Sequence, residues 1–345
     1  MRCWGGDLMQ AAGAELVKHY RDLAFMGFLE VVKNLGTILR NLKFCKEDIL
    51  VFKPDTLILI DYPGFNLRIA EWAKEQGIRV IYYISPQVWA WKENRVKKMK
   101  LCIDKMLVIL PFEKDYYRNK WNWEVEYVGH PLVEVVEERQ SGIDNRQLEA
   151  QANTDQTLGN KPIVALLPGS RKQEILKKLP IMLAVSKDFP ELQFVVAKAP
   201  GQEDAFYEGL LQGYPNVSAV SGKTYTLLLQ SKAALVTSGT ATLETALFGV
   251  PEVVCYKGSN LSYQIAKRLI KVKYISLVNL IMDKLVVIEL IQDELTPANL
   301  KQELNELLHN PTRRQQLQAD YAALKQLLSE GGMHLLKQPP VLYNF

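Results

Sequence analysis

Short apolar runs, each closed by a turn residue, recur along the chain with amphipathic stretches between them. Thr56 to Ile60, Val80 to Ile84, Met106 to Leu110 and Val125 to Val128 form one series. Ile163 to Leu167, Phe194 to Ala197, Ala233 to Val236 and Glu252 to Tyr256 form a second. Continuous apolar runs of this length predict strands buried on both faces, as in a parallel sheet. The intervening segments predict helices over Leu67 to Gln76, Phe112 to Asn119, from about Gln173, and over Ala241 to Phe248, with two more at about 297–308 and 312–329. Near the start, Met1 to Asp7 reads as the end of a strand running into a turn, and Leu8 to Val17 carries helical periodicity. This alternation is the α/β class, wound as two halves. Ser141 to Lys161, polar and poor in large apolar residues, predicts a linker between domains at 1–150 and 151–345.

The turns that close the strands carry the candidate chemistry. Val236 is followed by Thr237-Ser238-Gly239-Thr240 and a helix holding Glu244, which places free N–H groups beside a glycine and suits a phosphate. Leu167 is followed by Pro168-Gly169-Ser170-Arg171, a second turn of the same kind with a cationic fork matched to phosphate oxygens. Both would lie at the carboxyl ends of parallel strands, where open α/β sheets bind ligands. Each also reads as an ordinary capped turn. No GxxxxGK[ST] occurs, so ATP hydrolysis is not indicated. Asp61, after Ile60 and before Tyr62-Pro63-Gly64, stands where a catalytic base would stand and equally where an Asp bonds its own turn. His130, after Gly129, is a turn residue or a catalyst facing an inter-domain cleft.

Composition narrows the classes. With 48% hydrophobic and 23% charged residues and a net charge of +4, the 345-residue chain is an ordinary globular protein whose charge alone implies no nucleic acid. Four cysteines without a CxxC pair predict reduced thiols in a cytoplasmic setting, and four scattered histidines give no metal pair. The most apolar long stretch, Ala233 to Tyr256, is broken by Gly239, Glu244, Gly249, Pro251 and Glu252, so no spanning helix is expected there. No basic start followed by an apolar centre predicts a secretory signal. Two surfaces raise a membrane question: the apolar stretch 23–32 with Phe25, Met26 and Phe28, and Trp89 and Trp91 beside the cations of 92–100, among them Lys97 and Lys98. Core packing for the first and a solvated basic helix with a packed aromatic end for the second are the plain alternatives.

The local motifs are more specific than the pattern. MGFLEV (Met26 to Val31), IDYPGFN (Ile60 to Asn66), YISPQVWAWKENRV (Tyr83 to Val96), LPFEK (Leu110 to Lys114), Gly129-His130, LLPGSR (Leu166 to Arg171), SGTATLE (Ser238 to Glu244) and AKRLIK…YISLVNL (Ala266 to Leu280) occur in one order over nearly the whole chain. Together they resemble the lipid A disaccharide synthase family. The resemblance implies a GT-B architecture of two Rossmann-like domains facing a cleft. It also implies an inverting transfer from UDP-2,3-diacylglucosamine to 2,3-diacylglucosamine 1-phosphate, with UDP leaving and no cofactor or metal. Asp61, Arg171 and Asn279 match the family's catalytic Asp, Arg and Asn. By analogy with GT-B nucleotide sites, Ser238, Gly239 and Thr240 hold phosphate and Glu244 the ribose. The implied partners are the two acylated sugars and the anionic inner face of the inner membrane, with no nucleic acid.

Four departures accompany the resemblance. The family's amino-terminal strand and Gly-Glu-x-Ser-Gly-Asp loop are not matched, Gly64 stands for the second Asp of D-x-P-D-F-N, and Val278 stands for the Pro before Asn279. The first of these carries the expectation of a first domain incomplete at its amino terminus, retained UDP binding and poor transfer. The tail from Gly331, with Pro339-Pro340, also breaks the helical ending that the family would have. A non-catalytic UDP-sugar-binding remnant and a UDP-N-acetylglucosamine 2-epimerase are the alternative readings.

Overall fold

A computed structural model describes residues 1–23, 35–141, 161–259, 263 and 272–330. Phe25, Met26 and Phe28, the body of the expected linker and the tail from 331 lie outside the described residues.

The chain forms two compact units, Met1–Pro86 with Asn94–Leu107, and Gln87–Glu93 with Val108–Phe345. In the first unit, β1 (Arg2–Gly5) and β2 (Glu15–His19) pair in parallel around α1 (Asp7–Ala11). The helical reading of Leu8 to Val17 is therefore corrected. Gly13 turns the chain at φ +92° and Glu15 onward joins the ladder of β1, which overrides the local periodicity. A long helix, α2 (Leu35–Phe52), buries Leu42, Cys45 and Ile49 at helical spacing. Then β3 (Thr56–Ile60), α3 (Pro63–Glu75), β4 (Arg79–Tyr83), α4 (Arg95–Cys102) and β5 (Lys105–Val108) follow, with β3, β4 and β5 adjacent and parallel. Ile58 and Ile60 on β3 are 53% and 38% exposed.

The second unit opens with α5 (Pro111–Trp121), β6 (Glu126–Tyr127) and α6 (Pro131–Ser141). Its main body is β7 (Ile163–Leu167), α7 (Lys172–Ser186), β8 (Gln193–Lys198), α8 (Asp204–Leu211), β9 (Val217–Ser221), α9 (Thr224–Gln230), β10 (Ser231–Thr237), α10 (Thr240–Leu247) and β11 (Glu252–Tyr256). After these come α11 (Leu277–Met282), β12 (Ile288–Ile291), α12 (Pro297–His309) and α13 (Pro311–Ser329). Six strands pair in parallel in the order β12-β11-β10-β7-β8-β9. In chain order this is the doubly wound 3-2-1-4-5-6 pattern, and the direction of winding reverses between β7 and β10. All five residues of β7 are buried, as are Ala233 to Thr237 of β10, because helices cover both faces.

Candidate functional site

The two turns singled out by sequence lie side by side. Leu167 and Val236 are register partners, so Pro168 to Arg171 and Thr237 to Thr240 leave the sheet from adjacent strands at its carboxyl edge. This is the topological switch point, where open α/β sheets take their ligands. Gly169 sits at φ +112°, and a Cβ there would come within 2.8 Å of Glu174 Oε2 and 3.5 Å of the Thr237 methyl, so the turn closes only with glycine. Gly239, at φ +139°, faces open space with no atom within 4 Å of where a Cβ would stand. Thr242 N donates to the Gly239 carbonyl at 3.1 Å, and the N–H groups of Thr240 and Ala241 ahead of it have no helical carbonyl one turn back, as at any helix start. A diphosphate oxygen approaching Gly239 would meet those donors and the positive end of the helix.

Arg171 caps α7 and is 64% exposed, its Nη1 lying 3.2 Å from Glu174 Oε1. Ser238 is committed otherwise than expected. Its Oγ donates to the Ile275 carbonyl at 2.9 Å, so the turn offers an anion its backbone and not this hydroxyl. Glu244 is half-buried and accepts from the Tyr225 hydroxyl at 3.3 Å, and burial raises its carboxyl above the ordinary range.

Asn279 is fully buried. Its Nδ2 donates to the Val287 carbonyl at 2.8 Å and to Glu289 Oε1 at 2.9 Å. Its Oδ1 accepts from Val286 N at 2.8 Å and Val287 N at 2.9 Å. These are the four bonds an amide side chain can make, so in this arrangement it has none for a substrate. Glu289, which the sequence reading missed, also accepts from Ile275 N at 3.1 Å and Ser276 N at 2.9 Å. Nothing in the residue pattern announces a partner ten positions away across a turn. Asn279 and Glu289 together fix the segment whose Ile275 carbonyl holds Ser238. A groove of about 310 Å³ lies nearby, but Glu289, Glu294 and Glu303 line it, which unsuits it to a diphosphate.

In the first unit, Asp61 follows β3 with φ +45°, and Tyr62 repeats that value. Two consecutive non-glycine residues in the left-handed region are strained, at roughly 1–3 kcal/mol each. The strain is held by neighbours. Asn66 Nδ2 donates to the carbonyls of Ile60 at 3.0 Å and Asp61 at 2.8 Å, the Tyr82 hydroxyl donates to the Asp61 carbonyl at 2.6 Å, and Asp61 N donates to the Tyr83 carbonyl at 2.9 Å. Every one of these bonds engages the Asp61 backbone or Ile60, and none engages the carboxylate. Partial burial raises the Asp61 carboxyl above its ordinary range, and the Tyr62 N–H pulls it partly back. A carboxylate so placed is a better base than a free aspartate.

Trp89 and Trp91 separate in environment. The Trp89 indole donates to Glu113 Oε1 at 3.1 Å and packs edge-on to Phe112, with ring centres 5.0 Å apart, so it is largely an interior residue. Trp91 is 50% exposed with Lys92 Nζ 4.3 Å from its ring centre. Lys97 is exposed and Lys98 pairs with Glu71 at 2.6 Å. His130 is buried, its Nδ1 accepting from Leu132 N at 3.2 Å, and burial lowers its pKa to about 4.

A family model described as lipid-A-disaccharide synthetase matches residues 2–338. The chain belongs to that family. The lipid-A-disaccharide synthase of Syntrophus aciditrophicus is 40% identical over 340 residues, covering 95% of this chain and 85% of the relative. That of Geobacter sulfurreducens is 37% identical over 333 residues, with 95% and 85% covered. Among solved structures, the kitacinnamycin glycosyltransferase aligns at TM-score 0.58 and 16% identity, covering 95% of this chain and 87% of that one. A UDP-GlcNAc 2-epimerase from Neisseria meningitidis bound to UDP-GlcNAc aligns at TM-score 0.61 and 12% identity, covering 94% and 88%. At such identities the structures share the fold alone, which is GT-B. The 2-epimerase alternative is thus not favoured, nor is the non-catalytic remnant. As a lipid-A-disaccharide synthase family member, the chain is a glycosyltransferase of lipid A biosynthesis that uses a nucleotide sugar and a lipid acceptor. Among the described residues no helix is long and apolar enough to cross a membrane.

Proposed function

We propose that the chain joins UDP-2,3-diacylglucosamine to 2,3-diacylglucosamine 1-phosphate, giving the β-1,6-linked disaccharide 1-phosphate and UDP. The observation that carries the reading is the pair of glycine turns at the switch point of the second unit, with Arg171 beside them. Arg171 and the amides of Gly239 and Thr240 hold the diphosphate, and Glu244 takes a ribose hydroxyl. As the acceptor oxygen bonds to the donor's anomeric carbon, the bond to the diphosphate breaks and its electron pair leaves with UDP. Positive charge at Arg171 steadies that leaving group. Asp61 takes the acceptor hydroxyl's proton, so the charge balances without a further reagent. Asn279 and Glu289 act as positioning residues, setting the segment that grips Ser238.

Peripheral binding to the anionic cytoplasmic face of the inner membrane, through 23–32, Trp91 and the cations of 92–100, belongs to the same proposal. Each Lys or Arg near anionic lipid contributes on the order of 1 kcal/mol, screened by salt. The test is purified protein with both acylated sugars, scored for disaccharide and UDP. Equimolar formation of the two supports the reading. Release of UDP without disaccharide, or no reaction with these sugars, overturns it.

A further inference from the structure

Beneath the two turns lies a cation that the proposed mechanism does not use. Lys178 is on the inward side of α7, its side chain 4% exposed, among Ile175, Leu179 and Met182. Its ammonium donates to Thr237 Oγ1, the last residue of β10 before the Ser238-Gly239 turn. The carboxylate within reach is Glu174, whose Oε2 is 3.9 Å away and whose Oε1 already pairs with Arg171 at 3.2 Å. One carboxylate thus serves two cations, one of them buried. We propose that Lys178 is a positioning residue of the nucleotide site, a buried positive charge that fixes Thr237 and Glu174 and is balanced when an anionic diphosphate seats on the two turns.

Among the described residues the surroundings offer no other counter-charge. On β11, Cys255 is the register partner of Thr237, but burial pushes its thiol up to about 12, so it stays neutral at physiological pH. Tyr256 is likewise raised and remains a neutral phenol. From α12, Lys301 pairs with Asp188, which lies beyond the end of α7. Glu174 Oε2 lies 2.8 Å from where a Cβ on Gly169 would stand, and its other oxygen pairs with Arg171. A buried ammonium with half a carboxylate is costly in a low dielectric, and added negative charge relieves the cost. Burial therefore lowers the Lys178 pKa, and Glu174 opposes that shift. A diphosphate would bind well while Lys178 is charged and less well once it loses its proton.

The inference rests on the turns being the UDP site, and the experiment separates the two. UDP affinity is measured by calorimetry from pH 7 to 10 for the wild type, Lys178→Met and Lys178→Arg. Met fills the buried volume without charge, so the fold is kept. We expect Lys178→Met to bind UDP roughly tenfold more weakly at pH 7, the scale of one charge-assisted contact. We also expect it to lose part of the alkaline fall in affinity, while Lys178→Arg retains charge at every pH and binds more nearly as the wild type does at pH 7. Wild-type binding with unchanged affinity and an unchanged alkaline limb in Lys178→Met overturns the inference and leaves the site assignment standing. Absence of UDP binding in the wild type overturns the site assignment itself.

Discussion

β3 and β7 begin as the same kind of sequence, Thr-Leu-Ile-Leu-Ile and Ile-Val-Ala-Leu-Leu, and end in opposite environments. Every residue of β7 is buried, between neighbours on both sides and under helices on both faces. On β3 only Leu59 is buried, and Ile58 and Ile60 stand more than a third open. An apolar run therefore specifies a strand but not its place in the sheet. The difference extends to the chemistry the strands support. The turn after β7 rests on glycine and backbone geometry in a packed frame. The turn after β3 carries Asp61 in a strained conformation clamped by three side-chain bonds to the carbonyls of Ile60 and Asp61. The proposed binding is built from the packed unit, and the proposed proton transfer from the strained turn.

The largest expected break is Asp61→Asn, which keeps shape and removes basicity. Turnover should fall by about 10²–10⁴-fold with UDP affinity unchanged. Near-normal turnover would take Asp61 out of the mechanism. Next come paired core truncations. Phe194→Ala, in the fully buried middle of the second sheet, should cost about 3–5 kcal/mol, whereas Ile58→Ala should cost less than about 1 kcal/mol. Similar losses in denaturant melts would erase the contrast between the strands. Arg171→Ala should weaken UDP binding by roughly 1.5–3 kcal/mol, read by calorimetry. Unchanged affinity would separate the turn from the diphosphate.

The smallest effect is a pH slope, and it sharpens the picture of the second unit. Glu113, buried against Trp89 and Leu110, has its pKa raised from 4.5 to about 7, by burial above all. Its native form holds a proton that the unfolded chain releases, so its contribution is full below pH 4.5 and is lost as pH rises to about 7. His130 runs the other way. With its pKa lowered from 6.5 to about 4, its contribution is full above pH 6.5 and is lost as pH falls toward 4. The two slopes, each at most about 1.4 kcal/mol per pH unit, oppose one another over the shared window. Glu113→Gln should therefore expose a rise in stability with pH through that window. A flat profile in this variant, measured by melts across that range, would show that His130 does not titrate in this way.

Much of the second sheet was legible, because β7, β10 and β11 are continuous apolar runs closed by glycine or proline turns. β9 and β12 were not, since Val-Ser-Ala-Val-Ser and Ile-Glu-Leu-Ile are short and partly polar and become strands by pairing with neighbours far along the chain. The turns themselves were readable as chemistry. The roles inside them were less so. Ser238 looks like a phosphate ligand until the Ile275 carbonyl is seen beside it, and Asn279 looks catalytic until all its polar atoms are found bound. Lys178 could not be read at all, for a lysine in Lys-Lys-Leu looks like the outer face of a helix. Burial is a property of the assembled sheet and leaves no mark on a single charged residue.

The doubled left-handed backbone at Asp61 and Tyr62 has a consequence for anyone engineering this enzyme. Glycine adopts that conformation freely, so Asp61→Gly would relieve strain, whereas Tyr62→Gly would also give up the hydroxyl's bond to the Leu23 carbonyl at 2.8 Å and the stack on Phe65. A laboratory population screened only for heat resistance would drift toward the first of these changes. It would grow hardier while the proposed proton transfer decayed, because the carboxylate would be deleted. Screens for durable variants should therefore hold positions 61 and 62 fixed and seek their gains among the buried strands of the second unit.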